Sequence, residues 1–321
     1  MISRKEFQNS EEYHVKSHKE LIQKAESLRK EEKDKPYTIY IENQEEEQGN
    51  LIFPYSHFYI ISKGKSLISY LYANQKDKNG NDLTTWKTPA LKITGNNNIF
   101  ENLIIENRSG NPETKGQEVA LGIYGDNNLF LNCTFKSTQD TLFVGPLPDD
   151  LSTRYIDFLS EEERYHEGNT TNYFHNCQIE GTVDFIFGAG KAVFDRCELK
   201  TVYDKRKETY VVAGAHSLKD DFGFLFYECK FQKGKDVEDN STYLARPWRD
   251  YSKNVFVNCT YDSHIKKEGF SDWSNVNRTR TARFLEYPYH KERVDWIKTN
   301  KYSILDQKYE KAIECLKKAI K

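Results

Sequence analysis

Apolar and polar residues alternate with a period of two along much of the chain, in short runs rich in β-branched and aromatic side chains. This alternation predicts β-strands that bury one face, and it disfavours helical repeats. Five runs share one pattern: phenylalanine, any residue, a polar residue, cysteine, any residue, and an apolar or aromatic residue. The copies are Phe130-x-Asn132-Cys133-x-Phe135, Phe174-x-Asn176-Cys177-x-Ile179, Phe194-x-Arg196-Cys197-x-Leu199, Phe226-x-Glu228-Cys229-x-Phe231 and Phe256-x-Asn258-Cys259-x-Tyr261.

A sixth copy of the pattern carries leucine in the cysteine position, as Phe100-x-Asn102-Leu103-x-Ile105. The position therefore requires an apolar side chain of small to medium size, and not sulfur chemistry. Consecutive copies lie 20 to 44 residues apart, so loops of variable length must separate the regular strands. Repeats of this length predict strands stacked coil upon coil. We therefore expect an all-β fold, a single-stranded right-handed parallel β-helix that forms one domain over residues 1–321.

The open ends of such a solenoid expose apolar core and strand edges, so they require covers. Two segments near the termini have apolar residues at helical spacing, and both are predicted to be amphipathic helices that cap the ends. The first is predicted over about residues 14–32 and the second over about residues 304–320. Their apolar positions are Leu21, Ile22, Ala25 and Leu28 in the first, and Leu305, Tyr309, Ala312, Leu316 and Ala319 in the second.

The repeated cysteines are expected to form a ladder of buried free thiols, with disulfides between adjacent coils as the alternative. The sixth cysteine, Cys315, falls in the second predicted helix and outside the ladder. Free thiols agree with a reducing compartment, and the N-terminal residues lack the apolar stretch of a secretory signal. No later run approaches the length of a membrane span. We expect a cytoplasmic protein if Met1 is the natural start, and a secreted one if Met1 replaced a signal peptide.

Charge and composition narrow the choice of partners. The chain has 47 basic and 49 acidic residues, a formal net charge of -2, and 37% apolar residues. This balance indicates neither a nucleic acid nor a membrane surface as a partner. The low apolar content suits a narrow core inside a large polar surface. We expect a monomer without cofactor or metal, since the eight histidines show no paired ligand spacing.

One interval interrupts the repeat. Residues 146–168 are polar, contain Pro146 and Pro148, and include the run Glu161-Glu162-Glu163. They account for the longest spacing between copies of the pattern, 44 residues. We predict a surface loop near the binding groove, with a solvated, structurally idle loop as the alternative.

Two aspartates occupy the same phase of the repeat. Asp140 comes seven residues after Cys133, and Asp184 comes seven residues after Cys177. If their coils are neighbours, the two carboxyl groups lie about 4.8 Å apart, the distance between adjacent strands. At an effective dielectric of about 20, like charges at this distance repel by roughly 3 kcal/mol, or about two pK units, so the pair is expected to share one proton. An acid and a nucleophile would then stand side by side.

Phase alone is weak evidence for function, because Asp204 and Asp236 have the same offset from their own cysteines. Those two aspartates lie in charged, loop-like sequence. Asp140 and Asp184 instead begin apolar strands, and a carboxylate held against an apolar strand indicates a functional role. The alternative is that their side chains only cap turns.

Three segments around these residues resemble the signature motifs of a known family, the pectin methylesterases. They are Gln139-Asp140-Thr141-Leu142, Gly181-Thr182-Val183-Asp184-Phe185-Ile186-Phe187-Gly188 and Tyr243-Leu244-Ala245-Arg246-Pro247-Trp248, which occur in this order. Further similarity lies at Gly116-Gln117-Glu118-Val119-Ala120-Leu121, Gly269-Phe270-x-x-Trp273 and Glu286-Tyr287. The resemblance covers about Thr84 to Tyr287, and the chain departs from the family's pattern at Gly122, Ala245 and Phe270.

The resemblance implies an ester hydrolase, with a role for each matching residue. Asp184 would be the nucleophile that attacks the C6 ester carbonyl of a methylated galacturonate, and Asp140 would be the proton donor and later the base. Gln117 and Gln139 would stabilise the oxyanion, and Arg246 would orient Asp184. The groove for methylated galacturonan or oligogalacturonate would be lined by Thr85, Val183, Phe187 and Trp248. The alternatives are a core position for the tryptophan and ordinary strand packing for the other three.

Other enzymes on the same scaffold are alternatives, namely a polygalacturonase or a pectate lyase. A lyase commonly requires calcium and a base for proton abstraction, and the sequence has no clustered acidic calcium motif. Two glutamines beside two aspartates suit acyl transfer better than glycoside cleavage. A catalytically silent carbohydrate-binding relative is a further alternative. The presence of Asp140, Asp184 and Arg246 together favours an enzyme.

Overall fold

The strands form three parallel sheets that the chain enters in turn, in a computed structural model that describes residues 1–32, 34–110, 112–164, 170–297 and 307–320. Within each sheet, neighbouring strands come from successive coils, and every strand except the two at the ends of the sheet pairs on both sides. The predicted parallel β-helix is therefore confirmed.

The three sheets contain ten, seven and eight strands among the described residues. In spatial order, the first sheet comprises Glu11–Val15, Tyr37–Ile41, Phe58–Ser62, Ile99–Glu101, Leu129–Leu131, Thr171–His175, Lys191–Asp195, Phe224–Tyr227, Lys253–Val257 and Arg283–Tyr287. The second comprises Thr242–Pro247, Thr209–Gly214, Val183–Gly188, Leu142–Val144, Leu121–Ile123, Leu91–Ile93 and Leu51–Phe53. The third comprises Thr260–Tyr261, Lys230–Lys233, Glu198–Thr201, Gln178–Gly181, Thr134–Lys136, Ile104–Asn107, Ser66–Ser69 and Glu47–Gln48.

Helices are short and few in the described ranges. The α-helices are His18–Glu31, Pro112–Lys115, Asp149–Arg154 and Gln307–Ala319. The 3₁₀ helices are Arg4–Phe7, Thr85–Lys87, Ile156–Phe158, Glu161–Glu163 and Val276–Arg280. In the part of the chain that the structure describes, none of these helices combines the length and the apolar character needed to cross a bilayer.

The repeated sequence pattern marks the turn from the first sheet to the third. Its six phenylalanines stack in one column along the core, and successive ring centroids lie 5.2, 4.8, 4.6, 4.7 and 5.0 Å apart. The polar residue of each copy adopts a left-handed backbone, with φ between 52° and 57°. Asparagine tolerates this conformation better than most residues, which explains its use in four of the six copies. The pattern therefore encodes one inward ring and one turn per coil.

The cysteines of the pattern point into the core beside this turn, and all six cysteines of the chain are free thiols. Four ladder cysteines are buried, Cys259 is half-buried, and Cys315 is exposed on the C-terminal helix. Each ladder thiol donates to backbone carbonyls, as Cys133 does to Phe100 at 3.4 Å. The expectation of unpaired thiols is confirmed, and that of disulfides between coils is wrong.

The N-terminal helix covers the open end of the coil stack, as predicted. It begins at His18, and the side chain of Ser17 accepts a hydrogen bond from the amide of Glu20. Its apolar face joins the end of the core through Leu21, Ala25 and Leu28. The predicted start at residue 14 is wrong, because residues 11–15 form the first strand and pair with Tyr37–Ile41.

The C-terminal helix does not cap the other end, so that prediction is wrong. Its buried residues pack on the outward face of the first sheet, against Leu129, Val193, Leu225 and Val255. These outward positions are apolar, and burying them stabilises the helix on the flank of the stack. The end itself is covered by the part of the chain that precedes this helix. Its residues in the core are Phe270, Phe284, Trp296 and Ile297. Leu305 lies outside the described residues.

Candidate active site

Asp140 and Asp184 lie on neighbouring coils of the second sheet, as predicted. The strand after Asp140 pairs with the strand of Asp184 in a register that aligns Leu142 with Ile186, so the two aspartates stand at the same level. The amide of Asp140 donates a hydrogen bond of 3.0 Å to the carbonyl oxygen of Val183. The insertion loops out between the two coils. The coils are therefore direct neighbours in space although they are separated by the longest spacing in the sequence.

Both aspartates are held in unusual backbone conformations. Asp140 has a φ of 66° and Asp184 a φ of 51°, in the left-handed region that is sparsely populated except by glycine, asparagine and aspartate. Both are almost fully buried, at 8% and 6% exposure. Residues in such sparsely populated conformations persist where the surrounding structure constrains them, and they cluster at functional sites.

Arg246 fixes the carboxylate of Asp184. Its Nε and one terminal nitrogen donate to the two carboxylate oxygens, at 2.8 and 2.6 Å. The guanidinium plane lies between the rings of Tyr210 and Trp273, 3.8 Å from each ring centroid. A bidentate pair needs a planar donor fork in a defined orientation, and the two rings supply that orientation.

The surroundings of the two carboxyl groups act differently on their pKa values. Burial raises the pKa of Asp140 well above its usual value, and the neighbouring charge of Asp184 raises it further. Burial also raises the pKa of Asp184, but the charge and hydrogen bonds of Arg246 act in the opposite direction. Both oxygens of Asp184 accept from the guanidinium, which favours the carboxylate form. Of the two carboxyl groups, Asp140 therefore holds a proton more strongly, and Asp184 is the one whose ionised form is stabilised.

A cavity of about 390 Å³ lies in front of the pair. Its lining includes every residue that the resemblance assigned to catalysis, namely Gln117, Gln139, Asp140, Asp184 and Arg246. Thr85, Phe187 and Trp248 line it as well. The tryptophan is half-buried and meets the ring of Phe187 edge to face at 5.9 Å, so a position in the core is excluded. Aromatic faces at such a position suit contact with a sugar ring.

Val183 is the predicted groove residue that the structure places elsewhere. It is buried and absent from the lining of the cavity. Its contribution is made by the backbone, since its carbonyl accepts from Asp140 and its strand pairs with Tyr210 of the next coil. The register of this strand with the next coil shifts between Val183 and Ile186.

The insertion forms one wall of the cavity. Its residues Leu151, Arg154 and Tyr155 line the site. Apolar side chains of the insertion, including Leu147 and Leu159, pack with Tyr124, Phe143 and Phe187 on the outward face of the second sheet. The prediction of a loop near the groove is confirmed for the described residues 146–164, and the alternative of an idle solvated loop is wrong. Residues 165–168 lie outside the described residues.

A buried ion pair anchors this wall. Lys92, on the outward face of the second sheet, pairs with Glu163 of the insertion, and both side chains are almost inaccessible to water. The other carboxylate oxygen of Glu163 accepts a hydrogen bond of 2.7 Å from the amide of Ser160. Nearer the cavity, Arg249 pairs with Asp150 at 2.8 Å. The wall is thus joined to the coils by charge as well as by apolar contact.

Sequence reasoning missed four residues that shape the site. Trp86 lies in the cavity wall, Tyr210 and Trp273 enclose Arg246, and Arg206 donates to the side chain of Gln139. Trp273 had a signal, since it belongs to a segment that resembles the family. The others lie outside the motifs, and their role depends on which coils become neighbours.

The departures from the family's pattern do not contact the cavity. Ala245 and Phe270 are buried in the core, where the phenylalanine ring packs between Phe256 and Phe284. Gly122 faces Pro89, whose ring leaves little space for a side chain. All three departures therefore affect how the coil wall packs.

The family can be decided by comparison with known proteins. A sequence profile of the family described as Pectinesterase matches residues 13–147 and 162–310, which is most of the chain. The chain belongs to the pectinesterase family. This match extends beyond Thr84 to Tyr287, the range over which the motifs were recognised, and it includes the N-terminal coils.

Individual members of the family share only part of their sequence with this chain. Pectinesterase QRT1 of Arabidopsis thaliana is 32% identical over 149 residues, which are 44% of this chain and 37% of that protein. The chain spans 24 to 49% of the length of the first curated relatives that it matches. Pectin methylesterase from carrot aligns with a TM-score of 0.68 and 21% identity, covering 85% of this chain and 81% of the carrot chain.

A solved pectin methylesterase in complex with a hexasaccharide aligns with a TM-score of 0.71, at 18% identity over 96% of both chains. At these identities the structural likeness shows a common fold. The roles of the residues that match the family motifs are therefore argued from the geometry of the site in this chain.

Proposed function

We propose that this protein is a carboxylic ester hydrolase that removes methyl esters from galacturonate residues of pectin or oligogalacturonates and releases methanol. The observation that carries the proposal is the buried pair of neighbouring carboxyl groups, one of which accepts two hydrogen bonds from Arg246. The guanidinium of Arg246 favours the ionised form of Asp184, whereas burial and the charge of Asp184 raise the pKa of Asp140 well above its usual value. Nucleophile and acid are thus present together before substrate binds.

In the first step, a carboxylate oxygen of Asp184 attacks the C6 carbonyl carbon of the ester, and the carbonyl oxygen becomes an oxyanion. The side-chain amides of Gln117 and Gln139 lie in the cavity wall and supply neutral donors for this charge. As the tetrahedral intermediate collapses, the bond to the methoxy group breaks. The leaving oxygen takes the proton of Asp140 and departs as methanol, which leaves an acyl anhydride on Asp184.

In the second step, the roles of Asp140 reverse. Now ionised, it accepts a proton from a water molecule as that water attacks the acyl carbon. The anhydride bond breaks, Asp184 leaves as a carboxylate, and the galacturonate residue is released with a C6 carboxylic acid, which then loses its proton to solvent. One water is consumed for each methanol formed, and Asp140 ends protonated, as it began.

The lining of the cavity supports a carbohydrate substrate. Trp248 presents aromatic surface beside the pair, with the nearly buried ring of Phe187 against it, and a structural relative has been solved with a hexasaccharide bound. The unpaired thiols of the coil ladder support a reducing compartment for this activity.

The test is to incubate the purified protein with methylated and unmethylated oligogalacturonates and to follow methanol and product masses together. We expect methanol from the methylated substrate, with a mass loss of one methylene group per ester and no shortening of the chain. Chain cleavage would indicate a polygalacturonase, and an unsaturated product that absorbs in the ultraviolet would indicate a lyase. Either result without methanol would contradict the proposal.

Two variants and a matched control complete the test. Asp184→Asn and Asp140→Asn should both abolish turnover while oligosaccharide binding persists. Asp236→Asn is the control, because Asp236 has the same repeat offset and a left-handed backbone, with a φ of 64°, yet is exposed outside the cavity. Full activity of Asp184→Asn would refute the assigned nucleophile.

A further inference from the structure

We propose that Arg206 is a positioning residue that holds the amide of Gln139 with its NH₂ group toward the catalytic cavity. The inference rests on the proposed esterase function, in which this amide stabilises the oxyanion. Arg206 lies in the connection between strands Glu198–Thr201 and Thr209–Gly214. Its Nη1 donates a hydrogen bond of 2.7 Å to Oε1 of Gln139, which lies 67 residues earlier in the chain.

The hydrogen bond decides which end of the amide faces the cavity. An amide side chain has an acceptor end and a donor end of nearly equal size, so shape alone does not orient it. A guanidinium group has donors only. The oxygen of Gln139 must therefore face Arg206, and its NH₂ group must face the opposite way, toward Asp140 and the cavity. The reverse orientation would oppose NH₂ to the guanidinium and a carbonyl dipole to the developing oxyanion.

Arg206 is itself held in a fixed orientation by Asp204. Nε and Nη2 donate to the two carboxylate oxygens at 2.9 and 2.6 Å, and the backbone amide of Arg206 donates to the same carboxylate at 2.8 Å. The side chain of Asp204 is only 3% exposed. Nη2 also lies 3.3 Å from Oγ1 of Thr182. A buried anion thus orients the guanidinium, and the guanidinium orients the amide.

This chain of contacts gives a role to an aspartate that shares the repeat phase of the catalytic pair. Asp204 has the same offset from its cysteine as Asp140 and Asp184, but it does not reach the cavity. Asp204 contacts Arg206, which in turn contacts Gln139 in the cavity wall.

Arg206 does not contact the reacting atoms. Among the described residues that line the catalytic cavity, Gln139 is present and Arg206 is absent. Arg206 lines a different and smaller cavity, formed with Tyr203, Asp204 and Glu238. Its influence on turnover must therefore pass through Gln139, and this requirement can be tested by combining substitutions.

The experiment is a double-mutant cycle on kcat for methanol release, with Arg206→Met and Gln139→Leu alone and together. Removing one oxyanion donor costs about 100- to 1000-fold in kcat, which sets the expectation for Gln139→Leu. Arg206→Met leaves the amide free to rotate, so we expect a loss of about 10-fold in kcat with little change in KM. In the Gln139→Leu background, Arg206→Met should change kcat by less than about twofold.

Two further variants separate positioning from general structural support. Arg206→Lys retains a donor for Oε1 and should recover kcat to within about threefold of wild type. Arg196→Met is the matched control, since Arg196 forms a 2.9 Å ion pair with Glu228 on the exposed wall, away from the site. It should leave kcat unchanged. If Arg206→Met does not fold, Asp204→Asn replaces it in the cycle, because loss of that carboxylate releases the guanidinium.

Wild-type activity is measured first, so that failures can be told apart. If the wild type releases no methanol, the proposed function fails and the positioning role fails with it. If the wild type is active and Arg206→Met reduces kcat by the same factor in both backgrounds, the esterase function stands and the positioning role is overturned. The role is equally overturned if Arg206→Met retains full activity in the wild-type background.

Discussion

The guanidinium of Arg246 donates two hydrogen bonds to the carboxylate of Asp184, across a strand that lies between their coils and over 62 residues of sequence. The rings of Tyr210 and Trp273 enclose the guanidinium from both sides. This arrangement fixes the carboxylate of Asp184 in position and favours its ionised form.

Arg246→Lys should therefore impair turnover and move the pH profile. Lysine carries a point charge without the planar fork, so it cannot replace both hydrogen bonds. We expect kcat to fall by about 100-fold, with a smaller change in KM. Weaker support for the anion raises the pKa of Asp184, so the ionised nucleophile forms only at higher pH. The acid limb of kcat against pH should shift upward, and an unshifted limb would show that Arg246 does not control ionisation of the nucleophile.

Asp140→Asn should make the folded protein more stable at alkaline pH while it abolishes activity. The pKa of Asp140 is raised in the folded state, chiefly by burial, so the folded state keeps a proton that the unfolded state releases. Stability from this group is present at low pH and is lost as pH rises through the folded pKa. The variant should therefore gain Tm at pH 8 relative to wild type, and the gain should shrink toward pH 4.

Thermal unfolding across this pH range checks the prediction. Asp236→Asn, at an exposed position, controls for the change of a carboxylate to an amide. A Tm difference for Asp140→Asn that does not vary with pH would contradict the assignment of the proton to Asp140.

The buried pair of Lys92 and Glu163 predicts a large coupling between insertion and coil wall. Lys92→Met alone leaves a buried carboxylate without its partner and should reduce the free energy of unfolding by about 3–5 kcal/mol. The double variant Lys92→Met/Glu163→Met removes both charges and should recover much of the loss. Urea unfolding measures both values. A cost below about 1 kcal/mol for Lys92→Met, as is typical of surface pairs, would mean that the insertion is not anchored by this contact.

Two turns of the coil stack carry residues that are poorly suited to their backbone. Arg196 and Glu228 each have a φ of 52° at the position where the other four copies have asparagine. Replacing both by asparagine should relieve left-handed strain, while it removes an exposed ion pair of little value. We expect a net stabilisation of about 1 kcal/mol in the double variant, measured by thermal or urea unfolding. Destabilisation would show that the ion pair outweighs the backbone preference.

Much of the fold could be predicted because the coil repeats a local rule. Period-two alternation identifies the strands, and the column of Phe130, Phe174 and their equivalents appears in the sequence as a repeated letter. The two aspartates could be placed together for the same reason, since Asp140 and Asp184 keep one phase relative to their cysteines. Their ionisation required the structure, because it depends on burial and on Arg246 from a more distant coil.

The predictions that failed concern contacts between parts of the chain with no shared periodicity. The apolar face of the C-terminal helix was recognised, but the pattern of that helix is the same whether it covers an end or a flank. Only the apolar outward residues of the first sheet, such as Leu129 and Val193, decide between the two. Likewise, the alternation of apolar and polar residues places Val183 in a strand but does not reveal the irregular register beside it.

By itself, then, the sequence determined the repeating coil, its turns, and the alignment of two carboxyl groups, because each depends on neighbours a fixed number of residues away. The tertiary structure alone decided which side chains surround that pair: the guanidinium of Arg246 between two rings, Arg206 behind Gln139, and the wall built by the insertion. These contacts depend on the paths of loops of unequal length. Since those paths set which distant residues meet, no spacing along the chain encodes them.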